Sequence, residues 1–177
     1  MKLAEYEIGE TLFSEEQIQT RVRELAGQMN EDYKDSSCLL IGILKGAFIF
    51  LADLVRHIEV PVEFDFIACS SYGSATKTSG IVRIMKDLDT DIKDRNVVLV
   101  EDIIDTGLTL SYLLRNFRSR GPASLAVCSL LNKRTANQVD LPIKYEGFSI
   151  PDVFVVGYGL DHAERYRNLP YIAELKK

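Results

Sequence analysis

The chain has 177 residues, of which 46% are apolar and 27% are charged, and its formal net charge is -5. This length suits one domain with a sizeable core, so residues 1–177 are expected to form a single domain. The acidic balance gives no general attraction to nucleic acid or to anionic membranes, and no apolar run approaches the ~20 residues that span a bilayer. Acidic residues at positions 5, 7 and 10 are unlike a signal peptide, so the sequence predicts a cytoplasmic protein.

The first part of the chain predicts alternating helices and strands. Ser14 and Gln17 form a capping box, and apolar residues then recur at helical spacing, so a helix is expected from there to about Asn30. Three further elements are expected after it: a buried strand (Cys38 to Leu44), a helix (Ala47 to His57) and a second strand (Val62 to Ser70).

The segment from Ser70 to Gly80 is polar and has almost nothing to bury. Long polar segments in compact domains are commonly lids over a site or disordered connections. A short strand from Val82 to Met85 follows it, and the strand that carries the main motif comes next. We therefore expect the segment to lie beside the site and to close over a bound substrate, with a floppy hairpin loop as the alternative.

The second part of the chain continues the alternation. After the main strand and its helix, which is expected to end near Arg120, a Gly-Pro break precedes a strand from Ser124 to Leu131, and another strand covers Val153 to Val156. Strands that alternate with helices predict an α/β fold with a parallel sheet. The three cysteines lie in or beside predicted strands and are expected to be reduced core residues: Cys38, Cys69 and Cys128.

The most informative segment begins with four apolar residues, Val97 to Val100, which suit a strand buried on both faces. Acids, a glycine and two threonines follow directly. Ligands of open α/β sheets lie beyond the carboxyl ends of such strands, so Asp105 to Thr109 is expected to line a crevice there. A helix that starts near Gly107 would direct free backbone N–H groups at the crevice, as a phosphate site requires. Glu101 and Asp102 would repel a bare phosphate, so the pattern also predicts a hydrated Mg2+ held by carboxylates and substrate oxygens.

The segment from Val97 to Leu110 resembles the ribose-phosphate-binding signature of the type I phosphoribosyltransferases, a hydrophobic strand followed by two acids, two apolar residues and D-T-G-x-T. Other segments resemble the hypoxanthine (guanine) phosphoribosyltransferases of that family in order and approximate spacing: Leu44-Lys45-Gly46, Ser71-Tyr72, Asn132-Lys133-Arg134, Pro151 to Asp161, and Arg167. The resemblance extends from about residue 5 to Arg167. It implies a mostly parallel twisted sheet flanked by helices, with a small hood formed from N- and C-terminal segments.

By this resemblance, the chain is a purine-salvage enzyme that transfers the 5-phosphoribosyl group from phosphoribosyl pyrophosphate to hypoxanthine, and to guanine. The reaction would depend on Mg2+ and yield IMP or GMP and pyrophosphate. Dimers and tetramers are common among similar proteins, so a homo-oligomer is expected. A xanthine- or guanine-preferring transferase remains an alternative, and so does a binding-only regulator of the same fold. The regulator would lose chemistry that this acidic chain retains, so the enzyme is favoured.

The resemblance also implies a role for each candidate residue. The 5'-phosphate is expected at Asp105, Thr106, Gly107, Leu108 and Thr109, where Leu108 offers only its N–H and some relatives carry lysine. Pyrophosphate is expected at Lys45, Gly46 and Arg167, with a cis peptide between Leu44 and Lys45. Ribose and metal contacts are expected from Glu101, Asp102 and Asp161, and lid contacts from Ser71 and Tyr72. The base is expected to meet the Lys133 ammonium, the Phe154 ring, the main chain of Val155 and the backbone near Asp161.

Asp105 is the candidate general base. When the bond to pyrophosphate breaks, positive charge develops on the ribose ring, and one carboxylate can take a proton from the purine, at N7 in our interpretation. A structural role as the N-cap of the following helix is the competing interpretation, and the two roles are compatible.

Overall fold

The computed structural model describes residues 6–72 and 81–176. Its three helices are α1 (Glu15–Asp32), α2 (Phe48–Val55) and α3 (Leu108–Arg118). Its strands are β1 (Glu7–Phe13), β2 (Cys38–Leu44), β3 (Val62–Tyr72), β4 (Ile81–Lys86), β5 (Asn96–Ile104), β6 (Ser124–Asn132), β7 (Ile143–Ser149), β8 (Val155–Val156) and β9 (Ile172–Lys176).

Six strands form the central sheet, in the order β4-β3-β2-β5-β6-β7. All neighbouring pairs in it are parallel except β3 and β4, which are antiparallel. Helices α1 and α2 pack on one face and α3 on the other, so side chains of β2 and β5 contribute to two separate core clusters. Burial on both faces explains the uninterrupted apolar runs of these strands. The expected mostly parallel α/β fold is confirmed.

The start of α1 is confirmed in detail. The Ser14 hydroxyl accepts from the Gln17 N–H at 3.3 Å, and the Gln17 side chain accepts from the Ser14 N–H at 2.8 Å. Ile18, Val22 and Met29 are fully buried along the helix. The predicted helix Ala47 to His57 is shorter in the structure, because its last turn tightens where the His57 N–H donates to Leu54 O.

The hairpin of β3 and β4 changes the boundary of the predicted lid. Ser71 pairs with Val82 and Tyr72 with Ile81, so the segment expected to start as a loop at Ser70 begins as strand. Residues 73–80, which make up the rest of the predicted lid, lie outside the described residues. Its closure over a substrate therefore stays a prediction.

A second, three-stranded antiparallel sheet has the order β1-β9-β8 and joins the two ends of the chain. This is the expected hood. Of the predicted strand from Val153 to Val156, only Val155 and Val156 pair with β9, because Val153 still belongs to a turn in which its N–H donates to Pro151 O. The sequence analysis missed β7, whose polar residues and glycine mask a strand that its pairing with β6 defines.

A long-range contact ties α1 to β7. The Arg21 guanidinium donates from Nε to Gly147 O at 2.9 Å and from Nη2 to Glu146 O at 2.7 Å. Since β7 lies at one edge of the central sheet, Arg21 takes up backbone acceptors at that edge.

Cys38, Cys69 and Cys128 are free thiols, and Cys69 is only half-buried. Among the described residues, no helix is long and apolar enough to cross a membrane.

Candidate functional site

The carboxyl ends of the parallel strands meet at one edge of the sheet, and the predicted residues lie there. Lys45 and Gly46 follow β2, the Asp105 loop follows β5, and Lys133 follows β6. The hood adds Phe154 and Val155 at β8 and the loop after it. This placement follows from the parallel topology, because parallel strands end at the same edge of their sheet.

Residues 105–109, called the phosphate loop below, lie between β5 and α3. Four of them line a cavity of about 110 Å³: Asp105, Thr106, Gly107 and Thr109. Helix α3 begins at Leu108 with Gly107 as its N-cap, at φ 78°, and no side chain caps it. The first N–H groups of α3 therefore open towards the loop, as the sequence predicted for an anion site. Asp105 does not cap α3, so its interpretation as the N-cap is wrong: the left-handed turn that starts the helix is made by Gly107.

The acid pair on β5, Glu101 and Asp102, is half-buried. Glu101 Oε2 has no hydrogen-bond partner, and burial together with the neighbouring Asp102 raises the pKa of Glu101 well above its ordinary value. Burial also raises the pKa of Asp102 to about 6, against the opposing hydrogen bond from the Ile103 N–H. A buried carboxyl oxygen without a hydrogen-bond partner is costly, so Glu101 is an unusual feature of this strand.

Glycines let three segments approach closely behind this acid pair. A Cβ on Gly46 would lie 1.6 Å from Asp102 Oδ2, and a Cβ on Gly159 would lie 2.1 Å from Gly46 O. Neither position can accept a side chain. The backbone of the loop after β2 therefore contacts the Asp102 side chain of β5 on one side. On the other side it contacts the backbone at Gly159, in the loop after β8. The peptide between Leu44 and Lys45 is cis, as the resemblance implied.

The two predicted pyrophosphate cations converge on one carboxylate. Lys45 Nζ lies 3.1 Å from both Glu164 oxygens, and Arg167 Nη2 lies 3.3 Å from Glu164 Oε2. The same Arg167 nitrogen lies 2.8 Å from Asp161 Oδ1, while Nη1 donates to Gly159 O at 2.8 Å. Lys45 and then Arg167 hold the pKa of Glu164 below its ordinary value. An anion position already exists between cations that are far apart in sequence.

A larger cavity, of about 240 Å³, lies next to the phosphate loop. Its lining brings together residues from the phosphate loop, the acid pair, the end of β6 and the hood: Asp102, Ile103, Asp105, Lys133, Phe154, Val155, Leu160 and Asp161. Phe154 is 52% exposed, so its ring is available for stacking, whereas Val155 is buried and fixed by β9. All five residues that were predicted to bind the base or to act as the general base thus line this one cavity, which is called the base cavity below.

Lys133 is the buried cation of this cavity. Its side chain is 8% exposed, and Nζ lies 3.4 Å from Asp105 Oδ2 and 3.1 Å from Asp152 Oδ1. The Lys133 N–H also donates to Ile104 O, which fixes the start of its loop. An ammonium donates and cannot accept, so the cavity presents a donor beside the Asp105 carboxylate.

Sequence reasoning missed two acids of the site. Asp152 follows a proline directly before the predicted strand from Val153 to Val156 and was given no role, and Glu164 lies in a charged run typical of a solvated surface. Asp152 gains Lys133 as a partner only through the fold, and Glu164 gains Lys45 in the same way, although Arg167 is its near neighbour in sequence. Ser71 and Tyr72 lie at the end of β3, and their lid role stays a prediction.

The chain is similar to known proteins over nearly its whole length. The family described as phosphoribosyl transferase domain matches residues 9–163. The chain is 50% identical to the hypoxanthine-guanine phosphoribosyltransferase of Bacillus subtilis, over 98% of this chain and 97% of that protein. It is 49% identical to the hypoxanthine phosphoribosyltransferase of Escherichia coli, over 94% of each.

Solved structures agree. A hypoxanthine-guanine phosphoribosyltransferase from Bacillus anthracis superimposes with a TM-score of 0.91 at 48% identity, covering 98% of this chain and 100% of that one. A hypoxanthine phosphoribosyltransferase from Staphylococcus aureus gives a TM-score of 0.92 at 43% identity, covering 96% of this chain and 92% of that one.

Proposed function

Because the chain belongs to the phosphoribosyl transferase family, we propose that it transfers the 5-phosphoribosyl group of phosphoribosyl pyrophosphate to hypoxanthine and guanine, forming IMP or GMP and pyrophosphate. The observation that carries this proposal is the cavity in which Lys133, Asp105 and Phe154 meet beside the phosphate loop. A planar base with an oxo group fits a ring to stack on and a donor to bind.

The base is read by Lys133 and by the hood. The Lys133 ammonium donates to the 6-oxo group, and its bond to Asp152 fixes its direction. Phe154 stacks on the ring, and the main chain of Val155 provides further hydrogen-bonding groups. A donor-only contact at the 6-position favours oxopurines over adenine.

Asp105 serves as the general base. It lies beside Lys133 in the base cavity and in the phosphate loop at once, so one carboxylate is near both substrates. In our assignment it takes the proton from N7 of the purine. The purine loses this proton as N9 bonds to the ribose and the bond to pyrophosphate breaks. A positioned carboxylate of this kind accelerates proton transfer in the reaction.

Pyrophosphate is bound where Lys45 and Arg167 converge. In the free protein the Glu164 carboxylate lies between them, and a phosphate group is a stronger anion with more acceptor oxygens. The Gly46 backbone lies beside this position. We expect pyrophosphate to take over both cations from Glu164.

Mg2+ is the proposed cofactor. Among the described residues, no cluster of three or more potential ligands forms a metal site built by protein alone. That fits Mg2+, which keeps several waters and is held by one or two carboxylates together with substrate oxygens. Glu101, with its unpartnered buried oxygen, Asp102 and Asp161 are the residues that would contribute, directly or through water. When bound, the ion neutralises charge that develops on the departing pyrophosphate.

The test is nucleotide formation from hypoxanthine, guanine, xanthine and adenine, with phosphoribosyl pyrophosphate, in the presence and absence of Mg2+. We expect Mg2+-dependent turnover of hypoxanthine and guanine. Preferential use of xanthine would change the substrate assignment. Substrate binding without product from any base would identify a binding-only regulator instead.

We also propose a homo-oligomer. Two large apolar side chains are exposed on the strands at one edge of the sheet, Phe64 at 58% and Met85 at 61%. Light scattering after size-exclusion chromatography measures the state directly, and a monomer at assay concentrations would refute the proposal.

A further inference from the structure

Tyr158 is a buried tyrosine that the proposed chemistry does not use. It is 3% exposed, and its hydroxyl donates to Asp53 Oδ2 at 2.6 Å. Gln19 Nε2 donates to the same oxygen at 2.6 Å. Burial, and then the bond to Asp53, raise the pKa of Tyr158, so the hydroxyl stays a donor at any physiological pH. The hood is thereby connected to α1 and α2 through one polar cluster.

The backbone around Tyr158 has an unusual conformation. Tyr158 has φ 50° and lies between Gly157 at 102° and Gly159 at 98°. Glycine adopts such angles freely, but a tyrosine does so rarely and only where other contacts hold it. Two hydrogen bonds brace the turn, from Tyr158 N–H to Leu169 O at 2.8 Å and from Gly159 N–H to Arg167 O at 3.0 Å. The hydroxyl bond to Asp53 is the side-chain contribution to this bracing.

The segment that Tyr158 fixes, residues 157–161, is called the hood loop below. It ends in Leu160 and Asp161, which line the base cavity. Gly159 lies against Gly46, and Gly46 lies against Asp102. Asp53, the acceptor, is on α2, which begins directly after the Lys45–Ala47 segment. One hydrogen bond therefore connects the hood loop with the helix that follows the pyrophosphate cation.

We propose that Tyr158 is a positioning residue for the transfer reaction: its bond to Asp53 sets the hood loop against α2, and so sets Asp161 relative to Lys45. This inference rests on the proposed function, since it assigns Asp161 and Lys45 to the substrate. Tyr158 itself does not touch the reacting atoms. It acts through the residues on either side of the close contact between Gly159 and Gly46.

The chain contains a matched control. Tyr145 is 1% exposed, and its hydroxyl donates to Asp32 Oδ2 at 2.8 Å, which connects β7 to α1 away from the cavity. Burial and a bond to a helix aspartate raise its pKa as well. Tyr158→Phe and Tyr145→Phe thus remove the same group from the same kind of bond, and only the first lies next to the hood loop.

Steady-state kinetics on the wild type and both variants test the proposal. We expect Tyr158→Phe to lower kcat/KM for phosphoribosyl pyrophosphate roughly 10- to 100-fold, the range for a misplaced substrate-binding group. The kcat/KM of Tyr145→Phe should stay within about twofold of wild type. Urea unfolding should show a comparable loss of stability in both variants. Equal kcat/KM in the two variants would overturn the positioning role. If the wild type itself forms no nucleotide, the proposed function fails instead, so the two failures are distinguishable.

Hydrogen exchange gives a readout that is independent of turnover. The amides of Tyr158 and Gly159 should exchange faster in Tyr158→Phe than in wild type or Tyr145→Phe, under conditions where all three are folded. Unchanged exchange at these amides would show that the hydroxyl does not hold the loop, whatever the enzyme's activity.

Variants of the acceptor complete the test. Asp53→Asn keeps an acceptor oxygen for the hydroxyl and should keep kcat/KM within about fivefold of wild type. Asp53→Ala, which also removes the bond from Gln19, should lower kcat/KM at least as much as Tyr158→Phe. The double variant Tyr158→Phe/Asp53→Ala should lose no more kcat/KM than Asp53→Ala alone, because Asp53→Ala has already removed the bond between Tyr158 and Asp53. Additive losses would show that the two residues act separately and would contradict the proposal.

Discussion

The phosphate loop and the hood loop both line the base cavity, but different contacts hold them. The phosphate loop lies between β5 and α3, and Gly107 provides the turn between them. The hood loop depends on partners more than 100 residues away, Asp53 for Tyr158 and Gly46 for Gly159. One wall of the cavity is therefore shaped by residues of its own segment. The other wall also needs residues that are distant in sequence, and these come close only when the whole chain is folded. The two walls should respond differently to substitution.

The largest effect is expected at Lys133, between the two walls. We predict that adenine is used on the order of 10^4 less efficiently than hypoxanthine, because the Lys133 ammonium meets another donor in the 6-amino group. Comparing kcat/KM for the two bases in wild type and Lys133→Ala measures this. If the variant keeps the wild-type ratio, the hood and not Lys133 reads the 6-position.

The next effect concerns the phosphate loop. Asp105→Asn should lower kcat by roughly 10^2 to 10^4, because it removes a proton acceptor and keeps the shape of the side chain. Since α3 is capped by Gly107, IMP affinity should change little, and titration of the variant with IMP checks this. Near-normal turnover would assign proton removal to another group or to water.

At the acid pair we expect a substitution that stabilises the folded protein. Burial raises the pKa of Asp102 to about 6, above the value in the unfolded chain, so ionisation disfavours the folded state as pH rises through that interval. Asp102→Asn cannot ionise. In metal-free buffer it should be more stable than wild type at pH 7.5, by on the order of 2 kcal/mol, with the difference vanishing near pH 4. Urea unfolding at both pH values measures it.

Asp65→Asn is the control for this experiment. Burial works to raise the pKa of Asp65, but N–H donors from Phe66, Thr90 and Asp89, together with Lys86, lower it. Its ionised form therefore stabilises the folded state above the unfolded pKa, and this stabilisation is lost as pH falls. Asp65→Asn should be destabilised at pH 7.5 and approach wild type in acid. Stabilisation of both variants at pH 7.5 would contradict the assigned pKa shifts.

The smallest effect is expected at Glu164, on the hood side. Glu164→Gln should lower KM for phosphoribosyl pyrophosphate about two- to fivefold, because exposed ion pairs contribute modestly and pyrophosphate no longer competes with this carboxylate. The difference should shrink in high salt. Glu31→Gln is the matched control, since Glu31 pairs with Lys34 at 2.6 Å in an exposed contact. A raised KM in Glu164→Gln would mean that Glu164 orders the cations rather than competing for them.

The same contrast explains what could be predicted from the sequence. Asp105 to Thr109 follow a buried strand, so their position at the sheet edge was predictable from chemistry and topology. Lys133 and Phe154 were placed by resemblance, and the structure puts both in the base cavity. Asp152, Glu164 and Tyr158 were not assigned, because an acid beside a proline, an acid in a charged run and a tyrosine between glycines have no distinctive local pattern. Lys133, Lys45 and Asp53, which pair with them in that order, lie in distant parts of the chain.

The contact between Arg21 and β7 affects whether another strand can pair with this edge of the sheet. An edge strand with unoccupied carbonyls is a template on which another strand can add, and such addition leads to aggregation. At β7, Arg21 already occupies the carbonyls of Glu146 and Gly147. An incoming strand would have to displace a charged donor to pair there. Arg21 therefore hinders the addition of another strand at this edge of the sheet.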